Sequence, residues 1–290
     1  MLPGMSPPGA IEDAPADRPP SSQAAHNATV WQAGAHVADY DHATLLGAES
    51  IVLVRYREAI EGRVLDVGCG AGRLLAYLRL LGADAHGVDI SPAMVAHCRA
   101  RFPGIDVHVG DLRDLRRTET GHFDAVIISD NTLDVFDDRE RRGVLADLAE
   151  LLAPGGVLVF ASHNLDCWDR EGGEPPAPGL RRVADWGRAV IRARDGSPLR
   201  SALGPLRARR NRARLRPRQT RAADHAVLND SAHHSSLLHY YIGADAQRAQ
   251  LAGLGFDTLD VLELDGTPVA AGESGSSLWL HYVARIASPA

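Results

Sequence analysis

Lysine is absent from this 290-residue chain, so all 31 basic residues are arginine. In an alanine-rich sequence that bias is read as GC-rich coding before function. Cysteine is nearly absent too. Cys69, Cys98 and Cys167 are too few and too scattered for a disulfide framework or a zinc motif. A reducing, cytoplasmic setting is therefore expected. No run approaches the ~18–20 apolar residues of a membrane span, and no basic region followed by an apolar one opens the chain as a secretory signal would. The formal net charge of −6 gives no global reason to expect nucleic-acid binding. What is present is ordinary globular composition, 45% hydrophobic and 23% charged, with ample material for a core.

Residues 1–28 are rich in proline, alanine and serine and carry no apolar periodicity. Such a segment buries too little surface to offset its ordering entropy, and a disordered tail is expected. From Trp31 the pattern changes. Residues 42–60 carry apolar side chains at helical spacing. Short apolar runs at 63–67, 85–88, 105–109, 123–129 and 157–161 read as strands. Helical stretches at 71–81, from Ser91-Pro92 onward, and at 139–152 separate them. Strand and helix thus alternate five times, which predicts an α/β fold: a doubly wound, mostly parallel sheet. A probable helix at 244–254 and strands at 257–264 and 277–286 bring it to seven strands, with an antiparallel strand at one edge. Between these parts lies 163–237, a long insertion with Pro/Gly-rich stretches. Its segment 181–221 holds 14 arginines against two aspartates. The expected organisation is one α/β domain from 29–162 and 238–290, interrupted by an Arg-rich insertion that forms a cap or pocket.

The most informative stretch is Asp66-Val67-Gly68-Cys69-Gly70-Ala71-Gly72, where an apolar strand runs into a glycine-rich turn that opens a helix. Glycines allow a tight turn and close backbone approach to a ligand. Alone the triplet is also compatible with a plain strand-to-helix turn. Asp89 ends the second strand, 19 residues after Gly70. There a carboxylate lies beside the first loop and can accept both hydroxyls of a ribose. Asp111 ends the third strand, where it could meet an adenine amino group.

Together these features resemble the class I S-adenosylmethionine (SAM)-dependent methyltransferases. The third glycine comes too early for the dinucleotide fingerprint G-x-G-x-x-G, and SAM has no pyrophosphate to cradle. The resemblance continues through Phe123-Asp124-Ala125-Val126, Ser129-Asp130-Asn131 and Leu151-Leu152-Ala153-Pro154-Gly155-Gly156. It implies SAM as cofactor. Gly68, Gly70 and Gly72 would surround its methionine portion and Asp66 would orient it. Asp89 would bind the ribose, Ile90 and Met94 line the adenine face, and Asp111 with Leu112 hold its edge. Ser129, Asp130 and Asn131 would lie near the methionine amine, and Tyr40 over the methionine end. Met94 could equally be core, Tyr40 a helix-packing aromatic, and Cys69 a space-filler.

SAM carries the hard chemistry, and the protein supplies geometry and electrostatics. An acceptor must lie in line with the sulfonium methyl, and a hydroxyl or ammonium acceptor must lose a proton. His163, beyond the fifth strand, is the first candidate base. His233 and Tyr240, in the dense polar cluster of 229–242, are candidates for the acceptor-pocket wall. His163, His233 and His234 lack a spacing that demands a metal, and none is expected. The expected function is methyl transfer to an O, N or C atom of a small-molecule acceptor, anionic if the arginines attract it, in specialised metabolism. A homodimer is compatible with this reading. Nucleic acid is not favoured, because no aromatics interleave with the arginines of 200–221. Two alternatives stay open: SAM consumption without methyl transfer, releasing methylthioadenosine, and a non-catalytic SAM-binding module.

Overall fold

The computed structural model describes residues 21–32, 44–128, 130–170 and 198–287. Strands β1 (Arg63–Val67), β2 (Asp84–Asp89), β3 (Asp106–Val109), β4 (Phe123–Ile128) and β5 (Leu152–Asn164) form a parallel sheet in the order β3-β2-β1-β4-β5. Two later strands, β9 (Phe256–Leu262) and β10 (Trp279–Ile286), complete it. β10 runs antiparallel between β5 and β9, with Val283 opposite Val159. The doubly wound sheet of seven strands is therefore present, with its antiparallel strand one place in from the edge.

Alternation along β1 explains the two faces. Leu65 and Val67 point toward helices α6 (Leu115–Thr118), α7 (Asp138–Leu151) and α10 (Ala244–Gly253), where Leu145, Leu148 and Leu251 pack. Val64 packs on the other face with Leu75 and Leu78 of α4 (Arg73–Leu80), Val95 of α5 (Pro92–Arg101) and Val52 of α2 (Gly47–Arg55). Both faces of the sheet are covered, as a parallel sheet requires. A short helix α3 (Arg57–Ile60) leads into β1.

Three features depart from the sequence reading. First, residues 22–28, assigned to the tail by composition, lie in helix α1 (Ser22–Gln32). Residues 1–20 lie outside the described residues. α1 docks mainly through polar side chains, which is why it shows no apolar stripe. The Asn27 amide donates to the carbonyls of Val135 (3.0 Å) and Leu238 (2.7 Å), and its oxygen accepts from the Leu238 N–H (3.2 Å). Gln23 donates to the carbonyls of Asp134, Phe136 and Leu238. Asn27→Ala is expected to cost ~1–3 kcal/mol of docking free energy. Amide hydrogen exchange across 22–32 should then quicken by ~10–100-fold, with the sheet unchanged.

Second, β5 runs past the end of β4, and its last residues pair with new strands from the insertion. β8 (His239–Ile242) lies parallel to it, with Tyr241 opposite His163, and β7 (His225–Leu228) and β6 (Thr220–Arg221) follow antiparallel. These strands are two to four residues long, too short for a periodic signal. Third, after α8 (Leu165–Arg170), the described part of the insertion opens with a helix, α9 (Pro198–Leu215). Arg207, Arg209, Arg210 and Arg214 are exposed on it, as is Arg216 just beyond. Residues 171–197 of the insertion lie outside the described residues.

Candidate functional site

β1 ends at Val67, and the turn from Gly68 to α4 is built on left-handed backbone. At Gly72 φ is +82°, and a Cβ there would meet the Cys98 sulfur at 2.4 Å. At Gly70 (φ +52°) a Cβ would meet nothing within 4 Å, so the loop crest faces open space. Asp89, at the end of β2, grips this crest. One carboxylate oxygen accepts from the Gly70 N–H at 2.9 Å and the other from the Ser91 N–H at 2.8 Å. Burial still holds its pKa above the ordinary carboxylate range, against the pull of those two N–H groups.

These residues open onto one cavity of about 1070 Å³, its mouth included. Gly68, Gly70, Asp89, Ile90, Met94, Asp111, Leu112, Asp130 and Asn131 all line it. The structure thus gathers nine residues singled out for the cofactor in one hollow. Gly72 and Asp66 stand behind the loop, outside the lining. Ser129 and Tyr40 lie outside the described residues. Asp111 accepts from the Arg113 backbone N–H and guanidinium, at 2.5–3.0 Å. The guanidinium holds Asp111 below the usual carboxylate range although burial pushes the other way. The α1 side chains Ala24, Ala28 and Trp31 form one wall, which the sequence reading did not foresee.

The lining chemistry selects a type of ligand. Asp89, Asp111 and Asp130 supply negative charge. Both cavity arginines are committed to carboxylates: Arg73 to Glu49 through two bonds of 2.7 Å, and Arg113 to Asp111. Among the described residues no phosphate cradle is formed, so a polar, cationic ligand with an apolar ring suits the cavity better than a dinucleotide. The Asn131 side-chain oxygen is buried without a hydrogen-bond partner among the described residues. It fits an amine or hydroxyl donor from such a ligand.

Asp66 is fully buried, and neither of its oxygens has a hydrogen-bond partner among the described residues. Burial pushes its pKa up to about 8, with Arg73 pulling the other way. Folded protein then keeps a proton that the unfolded chain releases near pH 4. Stability conferred by that proton is full below pH 4 and declines as pH rises toward 8. Chemical denaturation should find the ligand-free protein ~1–3 kcal/mol less stable at pH 8 than at pH 5. Asp66→Asn should flatten that slope.

His239, at the start of β8, also lines the cavity. Its Nδ1 lies 2.7 Å from an Asp230 carboxylate oxygen, to which the Tyr241 hydroxyl also donates at 3.0 Å. Burial lowers the His239 pKa, and Asp230 more than reverses this, so it rises above the ordinary value. Asp230 falls well below its own, because His239 and His163 outweigh its burial. Behind His239 lies His163, stacked on it with ring centroids 4.8 Å apart and planes at 20°. The Nδ1 of His163 is 2.7 Å from Asp134, which also accepts the His163 backbone N–H at 2.7 Å, the Ser162 hydroxyl at 2.9 Å and the Arg141 guanidinium.

Three expected catalytic positions therefore receive different places. His163 sits one ring behind the cavity lining. His233 is packed edge-on against Trp31 of α1 at 5.0 Å, and it does not line the cavity. Tyr240 is fully buried on the opposite face of β8. Its hydroxyl donates to Asp138 at 2.6 Å, and the Arg141 guanidinium lies 4.7 Å from its ring centre. A strand presents alternate residues to one face, so His239 and Tyr241 share the face toward His163 and Tyr240 cannot. That alternation was the available signal for His239. Asp230 and Asp134 carried none, since a long-range fold brings them to the histidines.

Comparison with known proteins agrees with this architecture. Residues 64–156 match the model of a methyltransferase domain family. A relative from Streptomyces venezuelae, a dTDP-3-amino-3,4,6-trideoxy-alpha-D-glucopyranose N,N-dimethyltransferase, is 36% identical over 108 residues, covering 37% of this chain and 45% of the relative. A ubiquinone biosynthesis O-methyltransferase from Xanthomonas campestris pv. campestris (strain B100) is 34% identical over 116 residues, covering 38% and 47%. The chain thus spans less than half the length of these curated relatives. A solved S-adenosylmethionine-dependent methyltransferase from Clostridium acetobutylicum superposes with a TM-score of 0.53 at 11% identity, covering 90% of this chain and 98% of that one. Among the described residues no helix is long and apolar enough to cross a membrane. Residues 64–156 are thus similar to a methyltransferase domain, and the chain shares its fold with that solved methyltransferase.

Proposed function

We propose that this protein binds SAM in the cavity above the glycine loop and transfers its methyl group to a small-molecule acceptor of specialised metabolism. One observation carries the reading. The loop glycines and the carboxylates of Asp89, Asp111 and Asp130 converge on the same hollow that a carboxylate-paired histidine also lines. The relatives are an amino-sugar N-methyltransferase and a quinone-pathway O-methyltransferase, which supports a small acceptor with a nitrogen or oxygen nucleophile.

When bound, SAM supplies an electrophilic methyl on a cationic sulfur. In this reading the protein does the rest. Asp89 accepts the ribose hydroxyls while it fixes the loop crest. Ile90, Met94 and Leu112 hold an adenine ring by apolar contact. Asn131 and Asp130 receive the amine. His239 takes the acceptor proton at Nε2, since its Nδ1 is engaged with Asp230, and that carboxylate stabilises the imidazolium that forms. His163, pinned by Asp134, supports the His239 ring from behind and acts as a positioning residue. The exposed arginines of α9 favour an anionic acceptor by long-range attraction. A cytoplasmic setting belongs to this reading, because Cys69, Cys98 and Cys167 are buried thiols without disulfides.

Calorimetry with S-adenosylhomocysteine should give a saturable complex of about one ligand per chain. Incubation with SAM and pooled amino-sugar and phenolic acceptors should yield S-adenosylhomocysteine with a methylated product. Methylthioadenosine as the sole product would instead establish displacement without methyl transfer. Failure to bind either ligand would end the assignment.

A further inference from the structure

The stacked histidines enclose a second feature that proton transfer does not use. His163, Asp230 and His239 each offer one donor atom within 4.8 Å of the other two, with His239 Nδ1 2.7 Å and His163 Nε2 3.9 Å from the same Asp230 oxygen. His163 engages Asp134 through Nδ1 at 2.7 Å, which leaves Nε2 for another partner. That nitrogen faces an Asp230 oxygen across 3.9 Å. The gap is too long for a hydrogen bond and leaves room for an ion between the two atoms. A metal–nitrogen bond of ~2.0–2.1 Å and a metal–oxygen bond of ~2.0–2.2 Å together bridge ~3.4–4.2 Å, depending on their angle. The gap falls inside that span.

We propose that His163 Nε2, His239 Nδ1 and the Asp230 carboxylate form a binding site for one divalent transition-metal ion of the zinc type. Two imidazole nitrogens and one carboxylate oxygen are a donor set suited to such ions rather than to magnesium or calcium. The surroundings are those of a built site. Asp134 fixes the tautomer and ring angle of His163, as the outer carboxylate of a metal-bound histidine does. The Tyr241 hydroxyl and the Ala232 N–H (2.8 Å) hold the two oxygens of Asp230. The trio differs from His163, His233 and His234, because the left-handed turn at His233 and His234 (φ +48° and +57°) carries those side chains elsewhere.

Loading has a defined proton balance. Ligation at His239 Nδ1 breaks its hydrogen bond to Asp230. The ring keeps one proton, now on Nε2, and any proton in excess of the neutral tautomer goes to solvent. A histidine bearing its proton on Nε2 cannot take one from an acceptor. If His239 is the base proposed above, on which this consequence alone rests, the bound ion suppresses methyl transfer.

The test needs neither SAM nor acceptor, so its failure and the failure of the methyltransferase reading are separable. Chelator-treated protein is titrated with Co²⁺, read by its visible ligand-field absorption, and with Zn²⁺ by calorimetry. About one ion per chain should bind with micromolar or tighter affinity. His239→Ala, and Asp230→Asn as a nearly isosteric variant, should each weaken Zn²⁺ binding ~100-fold or more. His233→Ala should leave it unchanged. Wild-type protein that shows no saturable binding below about 1 mM overturns the site without recourse to any variant. So does binding that survives both His239→Ala and Asp230→Asn, or that is lost in His233→Ala.

Discussion

Asp89→Ala is expected to weaken SAM and S-adenosylhomocysteine binding by about 10³-fold, ~4 kcal/mol, measured by calorimetry. The magnitude comes from two losses. A carboxylate that accepts two ribose hydroxyls contributes charge-assisted hydrogen bonds of ~1.5–3 kcal/mol each. The same side chain holds the Gly70 and Ser91 N–H groups at 2.9 and 2.8 Å. Alanine strands both donors and lets the loop crest relax. Asp89→Asn tells the two losses apart. It preserves one acceptor oxygen for the loop and should recover part of the affinity. An Asp89→Ala protein that binds within threefold of wild type would remove Asp89 from the cofactor site.

His239→Ala is expected to lower kcat by ~10²–10⁴-fold while S-adenosylhomocysteine affinity stays within about threefold. The residue lines the cavity from β8, an element separate from the glycine loop and from Asp89, so those contacts are left intact. Its Asp230 partner raises its basicity, and truncation removes the group that would receive the acceptor proton. His163→Ala should lose less, because its ring supports His239 at 4.8 Å without lining the cavity. Tyr240→Phe should leave kcat unchanged, since that hydroxyl serves Asp138 on the other face of β8. A His239→Ala enzyme with full turnover would transfer the role of base to another group. Equal losses in His239→Ala and Tyr240→Phe would point to a general effect on β8 rather than to proton transfer.

The parts of the molecule that could be read from sequence are those where local pattern and tertiary role coincide. β1 is a short apolar run because both its faces are covered, and it ends in glycines because the loop needs left-handed backbone. Asp89 and Asp111 were legible because a strand end in a doubly wound sheet has a fixed place relative to the first loop. α1 was not legible, because Gln23 and Asn27 dock it by hydrogen bonds to carbonyls far along the chain. That His239 rather than Tyr240 lines the cavity was not legible, because the orientation of β8 depends on its pairing with β5, made by the two residues His163 and Asn164. Asp230 and Asp134 reach their histidines only through folded geometry, 9 and 29 residues away.

The docking of α1 also has a bearing on biosynthesis. Its Asn27 is matched with Leu238, 211 residues later. A ribosome releases the Asp134, Val135 and Phe136 carbonyls well before Leu238, so the helix gains part of its docking set midway through synthesis and the rest only late. The side of the hollow lined by Ala24, Ala28 and Trp31 is therefore secured in full only after Leu238 has been made.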